Sequence, residues 1–204
     1  PALPTIKPTA HLKKPINLWR QKAAWQMAVL LGLQSFLFYS LASFLPSIGM
    51  AFGVTLDEAI RLPLVFQVMA PFAILWLTWL SRRGTSFQII SVAGCLMNAL
   101  GISGLLMIPS LMLFWSALMG FGCALVFTLS LMMFSLRTTS TETARDLSSM
   151  VQAVGYSIAM FGPLMIGKLY QWQGDWQLPL TVLVVLMIIN IPFGLWAANE
   201  TKIG

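Results

Sequence analysis

The sequence predicts an all-α, polytopic membrane protein built as a six-transmembrane-helix bundle, and three observations carry that expectation. Of the 204 residues, 58% are hydrophobic and only 9% charged, against roughly 25% charged in an ordinary soluble domain. Six stretches, 25–47, 60–80, 87–107, 111–135, 149–169 and 177–198, reach the length of about 20 apolar residues that crosses a bilayer. The basic residues are also asymmetric. Lys7, Lys13, Lys14, Arg20, Lys22, Arg82, Arg83, Arg137, Arg145 and Lys202 fall on one side of such a bundle, with only Arg61 and Lys168 nearer the other. An excess of Lys and Arg marks the cytoplasmic side, so both termini are expected there. The net charge of +6 then reports topology and an attraction for anionic lipid, not a nucleic-acid footprint.

Residues 1–24 read as a Pro-rich cytoplasmic linker, with Pro1, Pro4, Pro8 and Pro15, closing in a short interfacial segment at Asn17-Leu18-Trp19-Arg20. No basic stretch with a short apolar core and a small-residue cleavage site opens the chain, so the numbering is expected to begin inside a longer protein. His11 stands alone in that linker and reads as solvent-exposed.

The first span carries Ser35, Tyr39 and Ser43 at intervals of four, a stripe on one helix face, with Gln34 about 100° around from Ser35. Such a face belongs against protein or water. In the second, Pro63, Gln67 and Pro71 also recur every four residues; each proline removes a helical donor and leaves carbonyls near Gln67 available. The third aligns Ser91, Gly94, Asn98 and Gly101, suited equally to close packing and to a polar lining. Gly120 and Gly122 thin the fourth, with Thr128 and Ser130 beyond them. The fifth combines Gln152, Gly155, Tyr156, Gly162, Pro163 and Gly167, and Asn190 and Pro192 interrupt an otherwise Val-, Leu- and Ile-rich sixth. Trp25, Trp76, Trp79, Trp115, Trp172, Trp176 and Trp196 lie near proposed membrane edges, the depth that suits an amphipathic indole.

Short connections make consecutive helices antiparallel neighbours or near neighbours. The longest inner connection, from Arg137 to Ser148, is rich in hydroxyls that either cap and turn the chain or begin a small amphipathic helix. Three-helix units 25–107 and 111–198 form a plausible inverted repeat, because an odd number of spans reverses orientation. Residues 25–198 are thus one transmembrane domain, and 199–204 a cytoplasmic tail.

Buried polar groups are costly unless partnered, so their number bears most directly on function. Gln34, Tyr39, Gln67, Asn98, Thr128, Gln152 and Tyr156 are the candidate solute-contacting residues; the competing role for each is inter-helix packing or bonding within its own helix. Asp, Glu and His are absent from all six spans. No nucleophile elbow, metalloprotease motif, phosphate-binding loop or paired carboxylate speaks for an enzyme, and no catalytic residue is nominated. Cys95 and Cys123 both lie within spans without metal-ligand spacing, so no metal or other cofactor is expected. A six-helix channel protomer is the main competitor, although no filter sequence or charged ring is evident. A membrane assembly subunit explains the small residues but not the Gln and Tyr near mid-membrane.

Across residues 18–198 the chain resembles the C-terminal half of a major facilitator superfamily transporter, and more closely the cyanate and 2-nitroimidazole transporter family. The stretches that carry the resemblance are Leu18-Trp19-Arg20 through Ala24-Trp25-Gln26, Gly32-Leu33-Gln34-Ser35 with Phe38-Tyr39 and Phe44-Leu45-Pro46, and Met150-Val151-Gln152-Ala153-Val154-Gly155-Tyr156 with Gly162-Pro163 and Gly167. The resemblance implies half of a twelve-helix fold, a bacterial inner-membrane location, and alternating access around a site between two six-helix halves. It further implies an N-terminal six-helix partner half and a small polar, often anionic or nitrogen-containing, solute. By position, Gln34 and Tyr39 match polar residues of the family's seventh helix and Gln152 and Tyr156 those of its eleventh. At Trp79-Leu80-Ser81-Arg82-Arg83-Gly84 the chain keeps the basic turn of the superfamily's loop motif but lacks its acidic residue, and Tyr170 to Trp176 departs from the relatives' pattern after Gly167.

Overall fold

A computed structural model describes residues 17–199 and Lys202. The linker prolines, His11 and most of the tail lie outside the described residues. After one 3-10 turn, Leu18–Arg20, the chain forms α1 (Lys22–Ala51), α2 (Leu56–Arg82) and α3 (Phe87–Met107). A second 3-10 turn, Pro109–Leu111, leads into α4 (Met112–Leu136), α5 (Thr141–Ala159), α6 (Phe161–Gln173) and α7 (Gln177–Ala197). These make six segments long and apolar enough to cross a membrane, with α5 and α6 together forming one of them. The fold is therefore all-α, and among the described residues no strand occurs.

Local chemistry explains the helix ends. Thr55 opens α2 with a reciprocal capping box: its hydroxyl accepts from the Glu58 amide at 3.3 Å, and the Glu58 carboxylate accepts from the Thr55 amide at 3.1 Å. The basic turn after α2 closes on Gly84 at φ +72°, a left-handed conformation that favours glycine. Ser140 caps α5, its hydroxyl accepting from the Thr143 amide at 3.2 Å. The hydroxyl-rich connection therefore does cap the chain, and the helix it starts runs straight into the fifth span, leaving only a short link after Arg137.

That fifth span is broken at Met160, between α5 and α6. Pro163 has no amide hydrogen to offer the Ala159 carbonyl, and Gly162 presses against the Phe36 carbonyl and Ser40 hydroxyl of α1. By contrast, α2 stays helical through both Pro63 and Pro71.

α1 is the central element, touching α2, α4, α5, α6 and α7. Around it, α2 packs on α4, α4 on α3, α3 on α7, α7 on α1 and α1 on α5. Exchanging α1 with α4, α2 with α5 and α3 with α7 reproduces these pairings, the pattern that an inverted repeat of three helices generates.

Glycines set the closest approaches. A side chain at Gly120 would strike the Phe66 carbonyl of α2, and one at Gly104 the Trp115 ring of α4. With apolar surface no worse in lipid than in protein, such close packing is the main attraction available between membrane helices. The buried apolar residues form two clusters, one toward each end of the bundle. α1 contributes Ala24 to Leu31 to the first and Phe36 to Ile48 to the second. Gln34, Ser35, Asn98 and Asn190 are all buried and fall between the clusters, making a polar layer across the middle of the bundle.

Candidate solute-binding site

The polar layer meets a cavity of ≈ 470 Å³ between α1, α2 and α4. From α1 it is lined by Gln34, Ser35, Phe38 and Tyr39, from α2 by Phe66, Gln67 and Ala70, and from α4 by Cys123, Phe127 and Thr128. Three phenylalanines and a tyrosine thus supply aromatic wall, and two amides and two smaller hydroxyls supply hydrogen-bonding groups. Among the described residues no charged side chain lines it.

The local reasons for this arrangement differ by helix. On α1, adjacent Gln34 and Ser35 both reach the cavity because it spans a wide arc of the helix face. On α2, Pro71 deprives the Gln67 carbonyl of its usual helical donor beside the cavity wall. On α4, Gly120 lets α2 approach until the backbones touch, which brings Phe66 beside Phe38, ring centroids 5.6 Å apart.

The structure brings Gln34, Tyr39, Gln67 and Thr128 of the nominated set together in this cavity. Asn98 stands behind it: its amide nitrogen donates to Gln34 Oε1 at 3.2 Å, and it does not line the wall. Gln152 lies on α5 outside the cavity, where its Nε2 donates to the Ser148 hydroxyl at 2.6 Å. Tyr156, on the same helix, is exposed. Tyr39 is likewise 45% exposed.

Ser35 joins the site although its only signals were the polar stripe through Tyr39 and its place in the Gly32-Leu33-Gln34-Ser35 stretch. Its hydroxyl is buried and unpartnered, as is Gln34 Nε2. Phe66 and Phe127 gave no signal, since an aromatic residue in an apolar span has the composition of lipid-facing surface, and Phe38 stood out only within the Phe38-Tyr39 stretch of the family resemblance. Asn190 serves packing in the otherwise Val-, Leu- and Ile-rich sixth span; its Nδ2 donates to the Leu30 carbonyl at 3.3 Å.

A second depression of ≈ 570 Å³ between α1, α5 and α6 is lined by Trp19, Phe36, Ile158 and Phe161 among others. Its one hydroxyl, on Ser157, bonds back to the Ala153 carbonyl, so it has little with which to orient a polar solute.

Charge is confined to the ends of the bundle. Arg137, buried at the C-terminus of α4, donates to the Trp196 carbonyl at 3.3 Å and to the Ala197 carbonyl, tying the end of α4 to the end of α7. Its cation also suits the negative end of the α7 dipole. Burial pushes its pKa down from the ordinary guanidinium value. Arg83 lies over the Trp79 ring, 3.9 Å from its centroid. Trp176 stands at the start of α7, at the end of a span as expected, and there it is buried and stacked on Tyr170 at 4.3 Å between ring centroids.

Fold and cavity together define a multi-pass membrane protein with an uncharged, solute-sized recess at mid-membrane. No family model matches the chain. It is 31% identical over 187 residues to the 2-nitroimidazole transporter of Escherichia coli (strain K12), covering 92% of this chain and 48% of that protein. It is 29% identical over 189 residues to the uncharacterised transporter YycB of Bacillus subtilis (strain 168), covering 92% of this chain and 47% of that protein. Over 123 residues it is 38% identical to a candidate anionic 4-hydroxy-benzoate permease of Thauera aromatica, covering 60% of this chain and 70% of that protein. The chain belongs to this family of membrane transporters and permeases. It spans about half the length of the first two relatives.

Proposed function

We propose that this chain is the C-terminal half of a twelve-helix major facilitator carrier, moving a small, planar, polar or anionic solute by alternating access. The observation that carries the reading is the incomplete cavity. Its walls come from α1, α2 and α4, while Tyr39 and Gln67, both polar and both mid-helix, remain exposed. Lipid is a poor cover for such groups. A second six-helix half, packed on this face, encloses the solute between the two.

Two further features support it. Exchange of the two three-helix units preserves the helix pairings. The second span of each unit is proline-bearing, at Pro63 and Pro71 in one, which stays helical, and at Pro163 in the other, which is broken at Met160. Gln34, Ser35, Tyr39, Gln67 and Thr128 are the proposed contacts, with Asn98 behind Gln34 and with Gln152 and Tyr156 along the flank. The relatives' names suggest ring solutes such as 2-nitroimidazole or 4-hydroxybenzoate, and an anion's counter-charge then comes from the other half. The location proposed is the bacterial inner membrane with both termini cytoplasmic, on the basic asymmetry.

Uptake of those two compounds into proteoliposomes tests the reading. The chain with its N-terminal half restored is expected to give saturable flux, and the 204-residue chain alone none; saturable flux through the chain alone rejects it in favour of a homo-oligomeric pore. For orientation, single cysteines at Gly53 and Gly174 should react with an impermeant thiol reagent from outside, and one at Arg83 should not. Labelling of all three from one side overturns the proposed topology.

A further inference from the structure

We infer that Asn98 is a positioning residue: it fixes the Gln34 amide so that Gln34 is a hydrogen-bond donor toward the solute, and the site thereby selects ring compounds with an acceptor edge. This rests on the reading of the α1/α2/α4 cavity as the solute site. A glutamine amide is nearly symmetric in shape but not in chemistry, with an acceptor oxygen at one tip and two donors at the other. Left to rotate, it serves either kind of partner. Here Asn98 Nδ2 donates to Gln34 Oε1 at 3.2 Å, with both residues at most 1% exposed. Turning the Gln34 amide over would set donor against donor in a buried layer, where an unmet polar group is costly.

Asn98 is packed tightly, although its own Oδ1 is buried without a hydrogen-bond partner. A side chain at Gly122 of α4 would lie 2.8 Å from Asn98 Oδ1, so the α3–α4 crossing closes directly on the asparagine. With the oxygen end committed, Gln34 Nε2 is left buried and without a hydrogen-bond partner, in a residue that lines the cavity. Cys123, which lines the same cavity, offers a sulfur that is only a weak acceptor. No carboxylate lines the wall among the described residues, and the hydroxyls of Ser35, Tyr39 and Thr128 can turn to donate as well. A nitro group, a carboxylate or a ring carbonyl provides the acceptor oxygen that this polarity lacks, and Phe38, Phe66 and Phe127 provide surface for the ring.

The test uses three uncharged probes of matched shape, 4-nitrobenzyl, 4-methylbenzyl and 4-aminobenzyl alcohol, titrated calorimetrically into the purified complete protein. The wild type is expected to hold the nitro probe about fivefold more tightly than the methyl one, the size of one hydrogen bond. Asn98→Leu should erase that preference while leaving the methyl probe's affinity unchanged. Gln34→Met should likewise erase the preference of the nitro over the methyl probe, and it keeps the inference testable where Asn98→Leu fails to fold. Tighter binding of the amino than of the nitro probe by the wild type overturns the donor assignment. A nitro preference that survives either substitution overturns the inference, as does an equal weakening of both probes in Asn98→Leu, which assigns Asn98 to packing alone. Failure of the wild type to bind any of the three instead removes the cavity reading on which the inference stands.

Discussion

Gln34 and Asn190 are carboxamides buried to nearly the same degree in one mid-membrane layer, and they do different work. Asn190 sits in the seam of α1, α3 and α7, donating to the Leu30 carbonyl, while the neighbouring Gly194 closes on Ser91 of α3. Gln34 sits where α1 turns toward α2 and α4, with packed protein behind it and a cavity in front. The difference teaches that burial alone does not distinguish a polar residue that holds helices together from one that receives a solute. What matters is whether the free hydrogen-bonding atom faces a neighbour or a space large enough to hold a ligand.

Substitutions that damage the shared scaffold should abolish the distinction altogether. Gly120→Val places a side chain on the Phe66 carbonyl, a backbone atom that cannot swing away. We expect a loss of about 3 kcal/mol or more and, because α2 and α4 form two walls of the cavity, loss of solute binding with it. Thermal unfolding in detergent and a binding isotherm on the same preparation check this; a stable, binding-competent variant would mean that the α2–α4 crossing is looser than described.

Arg137→Met removes a buried cation from the α7 carbonyls and should cost about 2 kcal/mol of stability while leaving solute affinity intact in the protein that remains folded. A change in affinity without a change in melting temperature would instead connect that end of the bundle to the site. Thr128→Val should show the reverse pattern, weakening solute binding by about 1 kcal/mol with little effect on melting. Melting-temperature loss at unchanged affinity would move Thr128 into the packing class with Asn190.

The smallest effect is expected at Gln152→Leu, where the Ser148 hydroxyl already engages the amide. Affinity should fall by no more than a few tenths of a kcal/mol unless the solute displaces that serine, a hydrogen bond of modest net value. A tenfold loss would extend the site from α1 across to α5.

Much of this was legible in the residues themselves. Six spans, the basic turn at Arg82-Arg83-Gly84 and the polar candidates on α1, α2 and α4 follow from hydropathy, length and spacing, because a membrane forces each apolar segment to satisfy its own backbone as a helix. The Ser35 and Tyr39 spacing of four likewise pointed to the side of α1 that lines the cavity. Helix rotation and crossing belong to the assembled bundle. Whether Asn98 lines a cavity or stands behind Gln34 depends on how closely Gly122 lets α4 approach, and the cavity's aromatic wall depends on Gly120 seating α2 against α4. The break at Met160 arises where Pro163 loses its helical donor as Gly162 meets α1, a coincidence of local and distant contacts. Hydropathy and covalent geometry act within one helix and so determine the spans. Convergence of faces is set by packing between helices far apart in the chain, and only the tertiary structure decides it.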